Sequence, residues 1–150
     1  MRLLVQRSKE ASVTIDGKVH GKIDFGLVVL VGFTHTDTEA EIDYLIDKLL
    51  HLRIFNDENG VMNRSLLDVG GEILSISQFT LYADTRKGRR PSYIAALNGD
   101  AATKLYDVFN QKIKEKGVKI ETGIFGSDMK VALINDGPTT ILLEKEYDKK

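Results

Sequence analysis

The stretch that most limits how this chain can fold is GLVVLVGF, Gly26 to Phe33. β-Branched residues and leucine follow one another without a polar member, and glycine closes the apolar run at either side. Such a strand has no face to offer water, so it reads as one covered on both sides. The covering elements must come from elsewhere in the chain.

Two helices answer that need. Thr38-Glu39-Ala40-Glu41 has capping-box spacing, in which hydroxyl and carboxylate satisfy orphan helix N–H groups reciprocally. Behind it Ile42, Leu45, Ile46, Leu49 and Leu50 recur at helical spacing, which predicts an amphipathic helix. Ala102, Leu105, Phe109 and Ile113 mark a second, closing at Gly117 with lysines in its last turn.

The remaining signals are those of strands. Leu3 to Ile15 mixes apolar and polar residues, and Asp16-Gly17 predicts a hairpin with Val19 to Ile23 as its return. Asn59-Gly60 is another turn signal, and Glu72 to Tyr82 reads as one long strand. Val118, Ile120, Thr122 and Ile124 alternate at period two, as do Met129, Val131 and Leu133. Asp136-Gly137-Pro138 reads as a loop, with one more strand from Thr140 to Leu143 and then a polar tail, EKEYDKK.

No repeat, linker or low-complexity segment divides the sequence. One α+β domain spanning 1–150, with many strands, two main helices and mixed sheets, is the economical reading. A chain of this length buries roughly 68–70% of its unfolded surface, enough for a core without staples. It has no cysteine, which excludes disulfides, thiolate metal sites and a cysteine nucleophile. The opening MRLLVQRSKE lacks a signal peptide's apolar stretch, and no window approaches the ~18 apolar residues of a membrane helix. The expectation is a soluble, cytoplasmic protein with no membrane attachment.

Chemistry is suggested first by Ser75 to Ser92, SISQFTLYADTRKGRRPS. In a continuous strand Ser75, Ser77, Phe79 and Leu81 share one face, and Leu74, Ile76, Gln78, Thr80 and Tyr82 the other. The second face is apolar for two positions and then polar, which is how a buried strand opens into a pocket at its carboxyl end; an exposed strand end is the plainer alternative. Arg86, Lys87, Arg89 and Arg90 follow within five residues. Net charge is −1 overall and −5 once those four cations are set aside. The positive field is therefore local, either steering an anionic partner or belonging to a solvated loop.

Ordinary hydrolytic machinery is hard to assemble. His20, His35 and His51 have no paired-ligand spacing and read as surface or packing residues. A Thr80 nucleophile would need a base, and only Asp84 and Lys87 are near in sequence. The glycines fit neither a P-loop nor a dinucleotide fingerprint, so no nucleotide cofactor is expected; no other cofactor and no metal site is assigned, the histidines having no ligand spacing.

Ser77-Gln78-Phe79-Thr80-Leu81 matches the SQFTL motif of the D-aminoacyl-tRNA deacylase family, and Asn135-x-Gly137-Pro138-x-Thr140 matches its NxGPxT motif. The resemblance runs from MRLLVQR and ASVTIDG through the text around Asn63 to Leu66 and the RRPS after the basic cluster. It implies a compact α+β domain with barrel-like sheets, acting as a homodimer that hydrolyses the ester joining a D-amino acid, or glycine, to the terminal adenosine of tRNA.

It also implies the site. Ser77, Gln78, Phe79 and Thr80 would be catalytic, with Gly137, Pro138, Asn135 and Met129 binding substrate and Arg86, Lys87, Arg89 and Arg90 holding tRNA. The Gly137–Pro138 bond would be cis and would enter the other subunit's pocket, its carbonyls excluding an L side chain. Thr80 would be either a nucleophile or a pocket-shaping residue beside a substrate-assisted water. A non-catalytic RNA-binding module and a hydrolase of free N-substituted D-amino acids are the competing readings.

Overall fold

The structure, a computed structural model, describes residues 1–147, so the last three residues of the expected polar tail lie outside it. Its spine is β1 (Arg2–Ile15). Along one edge of β1 runs antiparallel β8 (Lys130–Glu144). Along the other lie β2 (Lys18–Ile23) and β3 (Gly26–Gly32), joined to β1 through the expected Asp16-Gly17 turn. Ala11 stands opposite Ile23 and Ser8 opposite Gly26, so β2 and β3 keep one register past Asp24 and Phe25.

β3 pairs in parallel with β6 (Glu72–Ser77), and β6 in parallel with β7 (Ile120–Thr122). Parallel neighbours need long crossovers. The first crossover carries α1 (Glu39–His51), the small hairpin β4 (Phe55–Asn56) and β5 (Met62–Arg64), and α2 (Leu66–Val69). The second carries α3 (Gly99–Glu115). The sheet curls until its ends meet: His20 of β2 hydrogen-bonds the Thr122 carbonyl of β7 at 2.8 Å. A nearly closed, barrel-like mixed sheet results, as the resemblance implied.

β3 is buried on both faces, as its composition requires. Leu27, Val29 and Val31 join Leu3, Val5 and Ile73 against Ile42, Leu45, Ile46 and Leu49 of α1 and Phe109 and Ile113 of α3. Val28 and Leu30 face the barrel interior with Ala11, Val13, Ile23, Leu74 and Ile76, and with Met129, Val131 and Leu133 of the β8 side. Each large aliphatic side chain buried in this way contributes about 1.5–3 kcal/mol. α1 starts at the expected capping box, Thr38 and Glu41 bonding each other's backbone. Among the described residues no helix is long and apolar enough to cross a membrane.

Two expectations are corrected. The strand from Glu72 stops at Ser77, and Phe79–Tyr82 forms a 3₁₀ turn. The Gln78 amide makes the last ladder bond, to the Val31 carbonyl at 2.8 Å; β3 ends one residue later, so no neighbour remains to extend the pairing. Leu81 N–H then bonds the Gln78 carbonyl and Ala83 N–H that of Thr80, at 3.2 and 3.0 Å. The two-face division therefore holds only as far as Ser77.

The second correction concerns β8, which is one strand and not two separated by a loop. Asn135 pairs with Ser8 and Thr140 with Gln6, so the ladder breaks register and resumes, with Asp136 to Thr139 bulging from it. The length of β1 makes this possible, since it offers partners on both sides of the bulge. α2, capped reciprocally by Ser65 and Asp68, had no counterpart in the sequence reading, because four residues show no periodicity.

Candidate active site

At the carboxyl end of β6 a cavity of about 380 Å³ opens, within the size range of small-molecule sites. Ile76 and Val131 of the inner core line its base. Ser77, Gln78 and Phe79 form one wall, and Phe125, Gly126, Ser127, Asp128 and Met129 the other, with Asn98 between. The expected opening of the strand into a pocket is thus present, though a change of chain direction creates it and not strand alternation.

The turn at Phe79–Tyr82 is held from below. Gly32 leaves room for it: a Cβ there would stand 3.0 Å from both the Gln78 carbonyl and the Leu81 Cβ. Arg2 donates from Nη1 to the Leu81 carbonyl at 2.7 Å, its guanidinium 4.4 Å from the Tyr82 ring centre. Under β6, Ser75 Oγ donates to Asn110 Oδ1 at 2.7 Å and the Tyr106 hydroxyl to the Ser75 carbonyl at 2.8 Å. Burial raises the Tyr106 pKa, so this donor keeps its proton. The Tyr106 ring also packs against Phe125, linking α3 to both cavity walls.

Thr80 lies in the 3₁₀ turn beside this wall. Its hydroxyl accepts a hydrogen bond from the Gln78 side-chain amide. Asp84, the nearest candidate base in sequence, is gripped by Arg86 through Nη2 at 2.8 Å and through the backbone N–H at 3.0 Å. Those bonds, the side-chain one foremost, lower its pKa to about 2. A carboxylate so stabilised is a weak base.

The second motif forms a unit of its own. Asn135 Oδ1 accepts from Thr139 N–H at 2.9 Å while its Nδ2 donates to Thr140 Oγ1 at 2.8 Å, so one side chain closes the bulge. The Gly137–Pro138 peptide is cis, and Gly137 sits at φ 134°, a conformation that favours glycine. Buried Arg7 donates from Nε to the Asp136 carbonyl and from Nη1 to the Ile54 carbonyl, both at 2.8 Å. Gly137 and Pro138 are exposed and do not line the cavity. Within one chain, then, Ser77, Gln78, Phe79 and Met129 come together, Thr80 adjoins them through Gln78, and Asn135, Gly137 and Pro138 stand apart.

The basic residues occupy a hairpin tip closed by two backbone bonds between Asp84 and Ser92, at 2.8 and 2.9 Å. Arg86 pairs with Asp84, and Arg86, Lys87, Arg89 and Arg90 are all exposed. His20, His35 and His51 are exposed too, each ring bonding a backbone carbonyl. Asn98 and Phe125 to Asp128 escaped the sequence reading as cavity residues. Gly126, at φ 82° in a turn closed by Ser127 N–H and the Ile124 carbonyl, was the one local signal for their loop.

Comparison with known proteins follows this geometry closely. A solved structure described as c-Myc DNA Unwinding Element Binding Protein superposes with a TM-score of 0.92 at 37% identity, over 98% of this chain and 100% of that one. A D-aminoacyl-tRNA deacylase of Bacillus cytotoxicus is 57% identical over 146 residues, 97% of this chain and 100% of its own. One from Thermus aquaticus is 58% identical over 144 residues, covering 96% and 95%. Fold and sequence are thus those of a deacylase, a class of hydrolase. A family model described as D-Tyr-tRNA(Tyr) deacylase matches residues 4–144, and the chain belongs to that family.

Proposed function

We propose that this protein hydrolyses the ester between a D-amino acid and the terminal adenosine of tRNA, releasing the free amino acid and tRNA. The observation that carries the reading is the cavity walled by Ser77, Gln78, Phe79 and Met129 at the end of β6. Water adds to the ester carbonyl carbon, the bond to the ribose oxygen breaks, and that oxygen leaves with a proton. The substrate's own 2′-hydroxyl assists the water, and Thr80 shapes the wall. The hydrogen bond that Thr80 accepts from Gln78 and the tethered Asp84 both favour this route over an acyl-enzyme. Backbone N–H groups at Phe79 and Thr80, with the Gln78 amide, are the donors to the developing oxyanion.

The working unit is a cytoplasmic homodimer whose domains each span 1–150. Gly137 and Pro138 of one subunit enter the cavity of the other, and their exposure on a bulge clamped by Asn135 and Arg7 suits that task. Fixed main chain beside the stereocentre rejects an L side chain by collision and admits hydrogen or a D side chain, so glycyl-tRNA is also a substrate. A clash at fixed geometry discriminates more strongly than a pocket that prefers one shape.

The deciding assay incubates D-Tyr-tRNA, L-Tyr-tRNA and Gly-tRNA with the purified protein. Loss of the D and glycyl esters alone is expected. Binding without turnover identifies a non-catalytic RNA module, and equal loss of the L ester removes the steric filter. Thr80→Ala is expected to retain activity within about tenfold, ~1.4 kcal/mol in the barrier, and a larger loss restores the nucleophile.

Lys87, Arg89 and Arg90 contact phosphates of the acceptor stem, positioning tRNA without reading its sequence. Replacing all three by glutamine should weaken tRNA binding and flatten its dependence on salt. An unaltered slope in a binding titration assigns the tip to solvent.

A further inference from the structure

Beside the cavity, and continuous with Phe79 of its wall, stand Tyr93 and Ile94, apolar residues that the reaction itself leaves unused. Ile94 is 86% exposed, the highest value among the large hydrophobic residues described, and Tyr93 and Phe79 are 39% and 43% exposed. The Phe79 and Tyr93 rings meet edge to face with centres 5.1 Å apart, so the ledge continues the cavity wall outward. Exposed apolar side chains on a loose loop would mean little, but this segment is pinned. His35 Nε2 donates to the Ile94 carbonyl at 2.7 Å and Thr34 Oγ1 to the Ala95 carbonyl at 2.6 Å. Ala96 N–H bonds the Tyr93 carbonyl at 3.0 Å, and Leu97 N–H that of Phe33 at 2.9 Å.

The order of chemistries along the segment names an occupant. Exposed Lys87, Arg89 and Arg90 come first, then the Asp84–Ser92 closure, then Tyr93 and Ile94, then Asn98 in the cavity wall. Cations followed by an apolar ledge with an aromatic member, ending at a reaction pocket, match phosphates, an unstacked base and an acyl ester. Proteins that hold single strands combine the same two parts, a cationic track and aromatic faces for bases. A purely apolar protein partner would have no use for the three cations.

We propose that Tyr93 and Ile94 form the receiving ledge for the nucleotide immediately preceding the terminal adenosine. The proposal rests on the deacylase reading and adds to it a contact beyond the esterified nucleoside. Tyr93 supplies a ring on which that base packs, and Ile94 covers its other apolar edge.

The test compares two small substrates, the D-tyrosyl ester of adenosine and that of the dinucleotide cytidylyl-adenosine. In the unmodified protein kcat/KM for the dinucleotide ester should exceed that for the adenosine ester by about tenfold, ~1.4 kcal/mol. In Tyr93→Ala combined with Ile94→Ser that ratio should fall to within about twofold of unity, whereas Tyr93→Phe should keep it. A ratio near unity in the unmodified protein, or an unchanged ratio in the double variant, overturns the ledge. A shift in oligomeric state on Ile94→Ser, seen by sedimentation, also overturns it, because the surface is then a contact between copies. Should neither ester nor D-Tyr-tRNA be cleaved, the underlying deacylase reading has failed and the ledge falls with it.

Discussion

Gly26→Ala is expected to yield a protein that is largely unfolded at ordinary temperatures. Gly26 sits at φ 144°, and a Cβ built on it would lie 1.9 Å from the Glu72 carbonyl oxygen and 2.5 Å from the Glu72 nitrogen. Both atoms are backbone, at the first rung where β3 and β6 pair, so no side chain can swing aside. Relief requires separating the two strands that carry both cores and the cavity wall. A cost above about 4 kcal/mol is exceptional for one substitution, and this site meets the conditions for it through backbone strain and overpacking together. Since domains of this kind have only about 5–15 kcal/mol of stability, much of the folded population is lost. Denaturant unfolding measures the effect; a midpoint close to that of the unmodified protein would show that the strands part more easily than this contact allows.

Gln78→Ala is expected to lower kcat on D-Tyr-tRNA by about 10²–10³, the ~3–4 kcal/mol typical of one oxyanion donor, with little change in thermal stability. Gln78 lies in the cavity wall where the strand gives way to the turn, and its side-chain amide has a second N–H beyond the one given to Thr80. The comparison with Thr80→Ala separates the two roles. If Gln78 worked only by orienting Thr80, both variants would lose equally, within tenfold. Single-turnover rates on the two variants settle the matter, and a loss below tenfold at Gln78 leaves the oxyanion to backbone donors alone.

Much of this architecture could be read in advance where a physical signal is local. GLVVLVGF read as a doubly covered strand and is one over Gly26–Gly32, and the helix behind Thr38 announced both its start and its buried stripe. The errors arose where a neighbour decides the outcome. Glu72 to Tyr82 has strand-like composition throughout, but the last part has no partner because β3 ends first. Conversely, Asp136 to Thr139 looks like a terminator, yet β1 is long enough to recapture the chain beyond it.

The candidate site divides the same way. Ser77, Gln78 and Phe79 were legible as a motif, and Met129 through resemblance. Asn98 and Phe125 to Asp128 reach the cavity only because α3 and the loop before β8 pack beside β6, which no spacing encodes. Arg86 stands exposed at the hairpin tip with the other cations and also pairs with Asp84, two residues away, a contact that the sequence displayed without declaring.

The bulge at Gly137–Pro138 projects from a strand whose flanks are both stitched to β1, with Arg7 bracing it from β1 itself. It is a tooth on a rigid bar, not the tip of a finger. Under the proposed steric filter, its aim is inherited from the whole sheet, so substitutions that slacken β1 far from any substrate would blur handedness before they slow hydrolysis.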